Sequence, residues 1–383
     1  MANGLTNLAP DLYEALDVVS RELVGFIPAV TLDPSAERAS LNQTIRIPIT
    51  NAGAPEDVSP GQLPPDDGDQ TIGNNTLTIS KSRIVPFRWS GEEQQGVNTG
   101  PGYRAIRRDQ IAQAMRALTN EIDAFVGTAT AVGASRAWGT AGTTPFATDL
   151  SDPANVRKIL ADNGAPLTDL QLVIDTSAGA KVRSLAQLTK ANEAGTTDLR
   201  EQGTLLDIHG FKLRESAGVP TITAGTVSGT VTASASKGAV SVTITTGGSS
   251  SVAIVAGDIV SFAGDSNKYV AAAALTLGAS TSGTLTLADP GLRATLSSAA
   301  ITVAATSTRN CAFSRSAIVL ATRAPALPEE GDMADDRMML TDPKSGLTFE
   351  VAMYKLYKRV RYEIGIAYGA ANIKPRHTAL LLG

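Results

Sequence analysis

RAIRRDQIAQAMRALTNEIDAFV, residues 104–126, is the stretch around which the rest of the chain is organised. Apolar residues recur in it at steps of three and four, which is the spacing of one face of an amphipathic helix. No proline or glycine interrupts it, although Gly102 and Gly127 lie at its two ends. At about 1.5 Å per residue, this predicted helix, called the long helix below, is a rod of roughly 34 Å. The side chains expected in the core along its apolar face are Ile111, Met115, Leu118, Ile122 and Phe125.

Length and composition predict a globular protein of more than one domain. The chain has 383 residues, which exceeds the size at which a single core stops growing, so two or three domains are expected. The sequence contains no run of about 18 apolar residues, so it predicts no membrane-spanning helix. Its N-terminus lacks the pattern of a signal peptide. The net charge of −4 is not the basic excess of a protein that wraps nucleic acid.

Sequence patterns of enzymes and of metal sites are missing. The phosphate-binding, dinucleotide-binding, zinc-protease, thiol-pair and nucleophile-elbow motifs do not occur. The two histidines, His209 and His377, have no recognisable nucleophile motif beside them and are expected to be structural. The single cysteine, Cys311, excludes an internal disulfide and is expected to be a small buried side chain. We therefore predict that the protein is not an enzyme, with no catalytic residue, cofactor or metal.

The segments at the N-terminus cannot form a core alone. Residues 9–27 predict an amphipathic helix. Residues 28–41, which include Pro28 and Pro34, predict an irregular segment. Because the helix is short and terminal, we expect it to pack on another body, in this subunit or in a neighbour. Its apolar stripe is formed by Leu12, Leu16, Val19 and Leu23.

A long hairpin-like excursion follows. Residues 43–50 alternate as a strand does, and residues 76–89 are predicted to supply the return strand. The connection between them, 51–75, is rich in proline, glycine and aspartate, and loops of this length are usually functional or flexible. It has no lysine or arginine, and its acidic residues are Glu56, Asp57, Asp66, Asp67 and Asp69.

Three interpretations of this acidic connection remain open. It is a solvated loop, an arm that docks on a basic patch of a neighbouring copy, or a calcium loop. Asp67 and Asp69 begin a calcium-loop pattern, but Thr78 stands where the closing acidic ligand belongs. A basic patch is available at the start of the long helix, where cations oppose the helix dipole and need an acidic partner or an anion. Its members are Arg104, Arg107 and Arg108.

The part after the long helix reads as mixed α/β structure. A connection over 128–151, a helix over 152–166, a buried strand over 169–175 and a helix over 176–188 are predicted. Residues 203–220 then predict a strand-turn-strand unit. This order suggests a domain in which a strand lies between helices.

From residue 222 to residue 306 the composition changes to glycine, serine, threonine, alanine and valine, with few charges. Alternating segments recur in it, at 240–245, 257–263, 268–275, 283–292 and 299–305. Short strands at this spacing predict a small β-barrel or sandwich inserted into the mixed domain, and their recurrence argues against a low-complexity linker.

Two long strands close the chain after a turn at 342–346. Phe349, Val351 and Met353 lie on one face of the first strand, and Glu350 and Ala352 lie on the other. Charged residues between the two strands fit an antiparallel pair with one face exposed to solvent; they are Lys355, Lys358, Arg359 and Arg361.

This order of parts resembles the major capsid (coat) proteins of tailed bacteriophages, whose fold was first described for the phage Hong Kong 97. The β-insert resembles the variant of the P22-like podoviruses. The segments that carry the resemblance cover essentially the whole chain. They are the extended loop (43–90), the long helix (104–126), HGFKLRESAGVP (209–220), the insert segments GDIVSFAG, KYV and TLTLADPGL, the strand with Phe313, Ala317 and Ile318, and the closing strands from DPKSG onward.

The resemblance implies an α+β capsid fold with the long helix as its spine. The implied divisions are an N-terminal arm (1–42), an extended β-loop (43–90), a peripheral domain with the spine helix (91–170), an axial α/β domain (171–221 and 307–335), an inserted all-β, barrel-like domain (222–306) and return strands (336–383). The lysine–asparagine cross-link of the type member has no matching motif here.

The resemblance also implies a function. The subunit would assemble with itself into hexamers and pentamers of an icosahedral shell that encloses double-stranded DNA without reading its sequence. Its partners would be a scaffolding protein, a portal and decoration proteins, with assembly in the bacterial host cytoplasm and a final place in the virion capsid. The alternatives are a secreted β-rich adhesin or carbohydrate-binding protein, and a phage decoration or tail protein.

Overall fold

A computed structural model describes residues 24–49, 57, 73–97, 103–189, 207–342 and 345–383. The long helix spans Tyr103–Val132, so the predicted helix is confirmed and continues beyond residue 126. Gly127 does not end it. A Cβ atom at this position would lie 2.8 Å from the Phe26 ring and 2.9 Å from the Gly218 carbonyl oxygen. Gly127 is therefore required because Phe26 and Gly218 pack too closely against the helix to leave room for a side chain, and not because the helix ends there.

The long helix contacts a six-stranded sheet. Its 14-residue strand Arg359–Asn372 pairs antiparallel with Thr348–Leu356, as predicted. The expectation of one solvent-exposed face is wrong near Glu350, because this side chain is 7% exposed and binds two arginines. The strands of this sheet are Thr31–Ala39, Lys81–Ser90, Ile318–Pro325, Ala334–Thr341, Thr348–Leu356 and Arg359–Asn372.

The strand Thr31–Ala39 lies where the sequence predicts an irregular segment, so that prediction is wrong. It pairs in parallel with Ile318–Pro325, and the pairing is irregular between Pro34 and Arg38. Proline donates no backbone hydrogen bond, which suits such an irregular edge. Most of the predicted helix 9–27 lies outside the described residues; within them, Ile27–Ala29 forms a 3-10 turn and the α-helix does not extend through residue 27.

The excursion before the long helix contains two separate pairings. Thr44–Ile49 and Gly73–Thr78 form an antiparallel hairpin, called the N-terminal hairpin below, and its Leu77 is buried in a cluster with Ala321 and Ala367 of the six-stranded sheet. After a break at the fully buried Ile79, Lys81–Ser90 pairs instead with Arg359–Asn372. The predicted single return strand over 76–89 is therefore wrong, because its second half joins a strand from the other end of the chain.

A twelve-stranded sheet forms the mixed α/β part and continues into the β-rich part. The predicted strand at 169–175 is present as a fully buried strand. The helix predicted over 176–188 is interrupted at Leu185, and the connection predicted over 128–151 contains a strand. The strands and helices of the α/β part are Arg136–Trp138, Ser151–Asp162, Leu170–Ile174, Thr176–Ser184, Ala186–Thr189, Phe211–Glu215, Thr221–Ile222, Ser307–Ser314 and Thr378–Leu382.

The strands predicted between residues 222 and 306 are present and enclose an apolar cluster of their own. Lys268–Val270 pairs with Arg136–Trp138, which in turn pairs with Thr378–Leu382. Backbone hydrogen bonds thus join the β-rich part to the α/β part. Its strands are Thr226–Ser228, Val231–Ala235, Ser241–Thr246, Ser251–Ile254, Ile259–Phe262, Lys268–Val270, Leu275–Leu277, Ser282–Thr286 and Leu296–Val303.

Candidate functional site

The long helix has one buried face and one exposed face. The predicted core residues Ile111, Met115, Leu118 and Ile122 are each at most 2% exposed. Phe125 is half-buried, with its ring centroid 5.3 Å from that of Tyr368. On the opposite face, Asp109, Gln113 and Ala117 are exposed.

A buried carboxylate on the long helix joins three parts of the fold. Asp123 is 2% exposed and accepts hydrogen bonds from the backbone N–H groups of Phe26 and Ile27, at 2.9 and 3.1 Å, and from the Ser216 hydroxyl. Burial raises the pKa of Asp123, although these donors oppose the shift. The only signal of this role in the sequence is an acidic residue directly after Ile122.

The three arginines predicted as inter-subunit contacts have different surroundings. Arg104 is exposed. The Arg107 guanidinium carbon lies 5.3 Å from the ring centroid of Tyr103 and 5.9 Å from that of Tyr362, so it takes part in contacts inside the subunit. Arg108 lies 3.5 Å from the neighbouring Asp109 carboxylate, in an exposed pair of little energetic weight.

An aromatic cluster anchors the start of the long helix to the six-stranded sheet. Trp89 and Tyr103 meet edge to face with centroids 5.2 Å apart, and Phe87 and Tyr362 stack at 5.3 Å. Such pairs are worth about 0.5–1.5 kcal/mol each beyond the area that they bury. The Trp89 indole also donates to the Gln110 side chain at 2.7 Å. Burial, together with the Tyr362 hydroxyl, raises the pKa of Tyr103.

An exposed apolar and basic tip lies where the two long strands turn. We call Lys355–Arg359 the hairpin tip; its Tyr357 side chain is 87% exposed and its Leu356 side chain 50%. A cleft of about 1050 Å³ is lined by the tip, by Trp89 and by the first turn of the short helix Gly91–Val97, whose Gly91 N–H donates to the Lys358 carbonyl oxygen at 3.3 Å. Exposed aromatic residues beside cations are typical of protein contact surfaces. The sequence predicted charged residues between these two strands, but it did not predict that Leu356 and Tyr357 are exposed among them.

The acidic residues predicted to dock on a neighbour are largely outside the described part. Asp57 is described and exposed. Glu56, Asp66, Asp67 and Asp69 lie outside the described residues, so the solvated-loop, docking-arm and calcium-loop interpretations all remain open.

Glu350 ties the N-terminal strand to the sheet. Its two carboxylate oxygens accept from the Arg38 guanidinium at 2.7 and 3.0 Å, and Arg337 donates to one of them at 3.2 Å. The hydrogen bonds that Arg38 donates to Glu350 raise the pKa of Arg38. Bidentate pairs of this geometry position two segments as well as neutralising charge.

Asn163 lies at the junction between the β-rich part and the α/β part. Its side-chain oxygen accepts from Arg136 at 2.9 Å and from Arg293 at 2.7 Å. Its side-chain amide donates to the Ser135 hydroxyl at 3.0 Å and to the Arg376 carbonyl at 2.9 Å. These bonds hold the end of the helix Ser151–Asp162 against both parts.

The remaining predicted candidates have structural surroundings. His209 is exposed in a turn, whereas His377 is 8% exposed. Burial, and then Lys374 and Arg376, lower the pKa of His377. Cys311 is fully buried, as predicted, and burial raises the pKa of its thiol.

Among the residues that the structure describes, no cluster of three or more histidine, cysteine, aspartate or glutamate side chains could hold a metal ion. None of the described helices combines the length and the apolar character that crossing a membrane requires.

No family model matches the sequence, and no curated protein matches it. In three dimensions, the fold as a whole is similar to that of solved phage capsid structures. One similar structure is titled "Mycobacterium phage Che8"; it has a TM-score of 0.51 and 14% identity, over 95% of this chain and 92% of that chain. Another is titled "Capsid structure of the Cyanophage P-SCSP1u", with a TM-score of 0.51 and 12% identity over 95% of this chain and 90% of that chain. At these identities the likeness concerns the fold.

Proposed function

We propose that this protein is the major capsid protein of a tailed bacteriophage, a structural subunit without catalytic activity. In this proposal it assembles with itself into the hexamers and pentamers of an icosahedral shell, and the shell encloses double-stranded DNA. The observation that carries the proposal is the capsid-type fold, which covers 95% of the chain and 90% of the cyanophage capsid chain.

Two exposed features support assembly with further copies. The N-terminal hairpin packs one side on its own subunit through Leu77 and the half-buried Ile45 and Ile47. Its other side is exposed at Thr44, Arg46 and Pro48. The hairpin tip adds an aromatic side chain, Tyr357, that is 87% exposed. Neighbouring subunits of a shell would cover both features.

The finer assignment follows the order of parts. We assign the fold to the Hong Kong 97 type, with residues 43–90 as the extended loop and Tyr103–Val132 as the spine helix. Residues 222–306 form the inserted β-domain of the P22-like variant. In support, these residues enclose a separate apolar cluster. Leu275–Leu277 and Thr226–Ser228 belong to a small sheet that lies against the larger one. The first contacts its edge strand, Ser282–Thr286, and the second contacts an inner strand, Leu296–Val303.

We also propose where subunits touch and what assembles with them. The acidic residues Glu56, Asp57, Asp66, Asp67 and Asp69 would face basic residues of a neighbouring copy. Arg104 is the best placed of the three predicted arginines, because it is exposed. A scaffolding protein, a portal and decoration proteins would complete a virion that is assembled in the bacterial cytoplasm.

The test is assembly of the purified protein, alone and with a candidate scaffolding protein, followed by size exclusion and negative-stain electron microscopy. Shells or tubes are expected. The variant Tyr357→Ser should keep the unfolding midpoint of the wild type and yield fewer shells, since the side chain is exposed in the subunit. A protein that stays monomeric in every condition and binds glycans would refute the proposal.

A further inference from the structure

The end of the six-stranded sheet at which the hairpin tip lies also carries a second exposed segment. Residues 329–336, called the acidic segment below, contain five carboxylates and no lysine or arginine. The Met333 side chain in this segment is 83% exposed. The Lys355 amine of the tip lies 2.6 Å from the Asp335 carboxylate. The tip and the acidic segment therefore lie side by side in one subunit.

Each of the two segments also carries charges that are not neutralised inside the subunit. In the part of the chain that the structure describes, no ion pair involves Glu329 or Glu330 of the acidic segment, or Lys358 of the tip. All three side chains are exposed. The Lys358 amine lies 5.6 Å from the ring centroid of Tyr357. The tip thus presents a cation beside an exposed aromatic ring, and the acidic segment presents anions beside an exposed methionine.

The two segments are complementary to each other. Exposed ion pairs contribute little on their own, but opposite charges steer two surfaces together and fix their register. Removal of Tyr357 and Met333 from water supplies a favourable apolar contribution, and a methionine sulfur packs well against an aromatic ring. Neither segment suits a copy of itself, because like charges would then face each other.

We propose that the hairpin tip of one subunit docks on the acidic segment of a second copy of this chain. In this contact Lys358 faces Glu329 and Glu330. Tyr357 packs on Met333. The inference deepens the proposed function and rests on the assembly of copies that it describes.

The position of the two segments determines how such contacts propagate. Since every copy carries both, its tip binds one neighbour and its acidic segment binds another. Contacts of this head-to-tail kind form a closed ring when the rotation between copies closes. Because the two segments lie side by side, the axis of a ring with few members passes close to this end of the sheet.

The test is zero-length cross-linking with a carbodiimide, which joins an amine to a carboxylate when the two are in contact. Unlabelled protein and protein labelled with a heavy nitrogen isotope are mixed in equal amounts before assembly and then cross-linked. Mass analysis identifies the linked peptides. We expect a link from Lys358 to Glu329 or Glu330, and in half of these links the two peptides should carry different labels.

Two controls are present in the same protein. Lys355 and Asp335 pair inside the subunit, so their link should join peptides of the same label. Lys237, an exposed lysine of the β-rich part, should not link to the acidic segment. If the Lys358 links always joined peptides of the same label, the contact would lie within one subunit and the proposal would be overturned. The absence of any link from Lys358 to the acidic segment would also overturn it.

An exchange of charges gives a second readout. Lys358→Glu should reduce the yield of shells several-fold, and so should Glu329→Lys with Glu330→Lys, because like charges would face each other in the contact. All three changes together should recover most of the wild-type yield. Each variant should keep the unfolding midpoint of the wild type, since the three side chains are exposed. A combined variant that assembles no better than the others would overturn the proposal.

The two tests separate this inference from the proposed function. Wild-type shells without a mixed-label link would overturn the tip contact alone. A mixed-label link in a protein that forms no shells or tubes would support the contact and contradict the proposed function.

Discussion

The carboxylate of Asp123 on the long helix accepts a hydrogen bond of 2.9 Å from the backbone N–H of Phe26, which lies 97 residues earlier in the chain. The same oxygen accepts from Ile27, and the other oxygen accepts from the Ser216 hydroxyl. One buried side chain therefore holds the N-terminal segment, the long helix and the α/β part together. This arrangement makes Asp123 a position at which stability can be tested.

Asp123→Ala should lower the free energy of unfolding by about 2–6 kcal/mol, because two buried backbone N–H groups lose their acceptor at about 1–3 kcal/mol each. Urea unfolding followed by tryptophan fluorescence measures the change. Asp109→Ala, at an exposed position of the same helix, should stay within about 0.5 kcal/mol of the wild type. Equal stability of the two variants would show that the Asp123 bonds contribute nothing.

Leu118→Asp should destabilise the subunit by roughly 4 kcal/mol or more, since Leu118 is 2% exposed and a charge there would be buried without a partner. Thr128→Asp, at an exposed position of the helix, should cost less than about 1 kcal/mol. Thermal unfolding of both variants gives the comparison. An unchanged unfolding midpoint for Leu118→Asp would show that this face of the helix is not part of the core.

Gly127→Ala should destabilise the protein although alanine favours a helix by about 1 kcal/mol. The added Cβ would lie 2.8 Å from the Phe26 ring and 2.9 Å from a backbone oxygen, and overpacking of this kind costs about 1–3 kcal/mol.

Gly96→Ala is the matched control for Gly127→Ala. Gly96 lies in the helix Gly91–Val97, and a Cβ there meets no atom within 4 Å. This variant should be slightly more stable than the wild type. Urea unfolding midpoints should therefore move in opposite directions, and a shift of both in the same direction would contradict the packing argument.

His377 should make stability depend on pH. Its pKa in the folded protein is lowered by burial, and then by Lys374 and Arg376, from the value of about 6.5 in the unfolded chain. Between these two values the unfolded chain binds a proton that the folded chain does not. The free energy of unfolding therefore decreases as pH falls through that window.

The check is the difference in free energy of unfolding between the wild type and His377→Gln. This difference should be constant above about pH 7. As pH falls below about 6.5, the wild type should lose stability relative to His377→Gln. His209→Gln, at an exposed turn, should follow the wild type throughout. Parallel curves for the wild type and His377→Gln would contradict the assignment.

Deleting residues 54–72 should leave a folded subunit and impair assembly. The deletion ends before the strand that begins at Gly73, and the four remaining residues 50–53 can close the turn between Ile49 and Gly73, which are paired. Unfolding midpoints and electron microscopy give the two readouts. Insoluble subunits would show that the acidic loop belongs to the core of its own subunit.

The features predicted from the sequence are those whose signal is local. The face of the long helix that carries Ile111 and Leu118 was predicted because a period near 3.6 is visible within four turns. The strand Leu170–Ile174 and the antiparallel pair that ends at Asn372 were predicted because an apolar run and an alternating pattern are also visible within a few residues. The capsid-type fold was predicted from the order of such segments.

The features that the sequence analysis missed depend on distant partners. Thr31–Ala39 is a strand because Ile318–Pro325 supplies its hydrogen bonds. Glu350 is buried because Arg38 and Arg337 neutralise it.

By itself, the sequence of this protein determined the long helix and its apolar face, the buried strand Leu170–Ile174, and the order in which the main segments follow. Only the tertiary structure decided the strand pairing of Thr31–Ala39, the position of Gly127 against Phe26, and the joining of three segments at Asp123. The physical reason is the separation along the chain over which each interaction acts. Side-chain periodicity acts over a few residues, whereas close packing and buried hydrogen bonds act between atoms that folding brings together from anywhere in the chain.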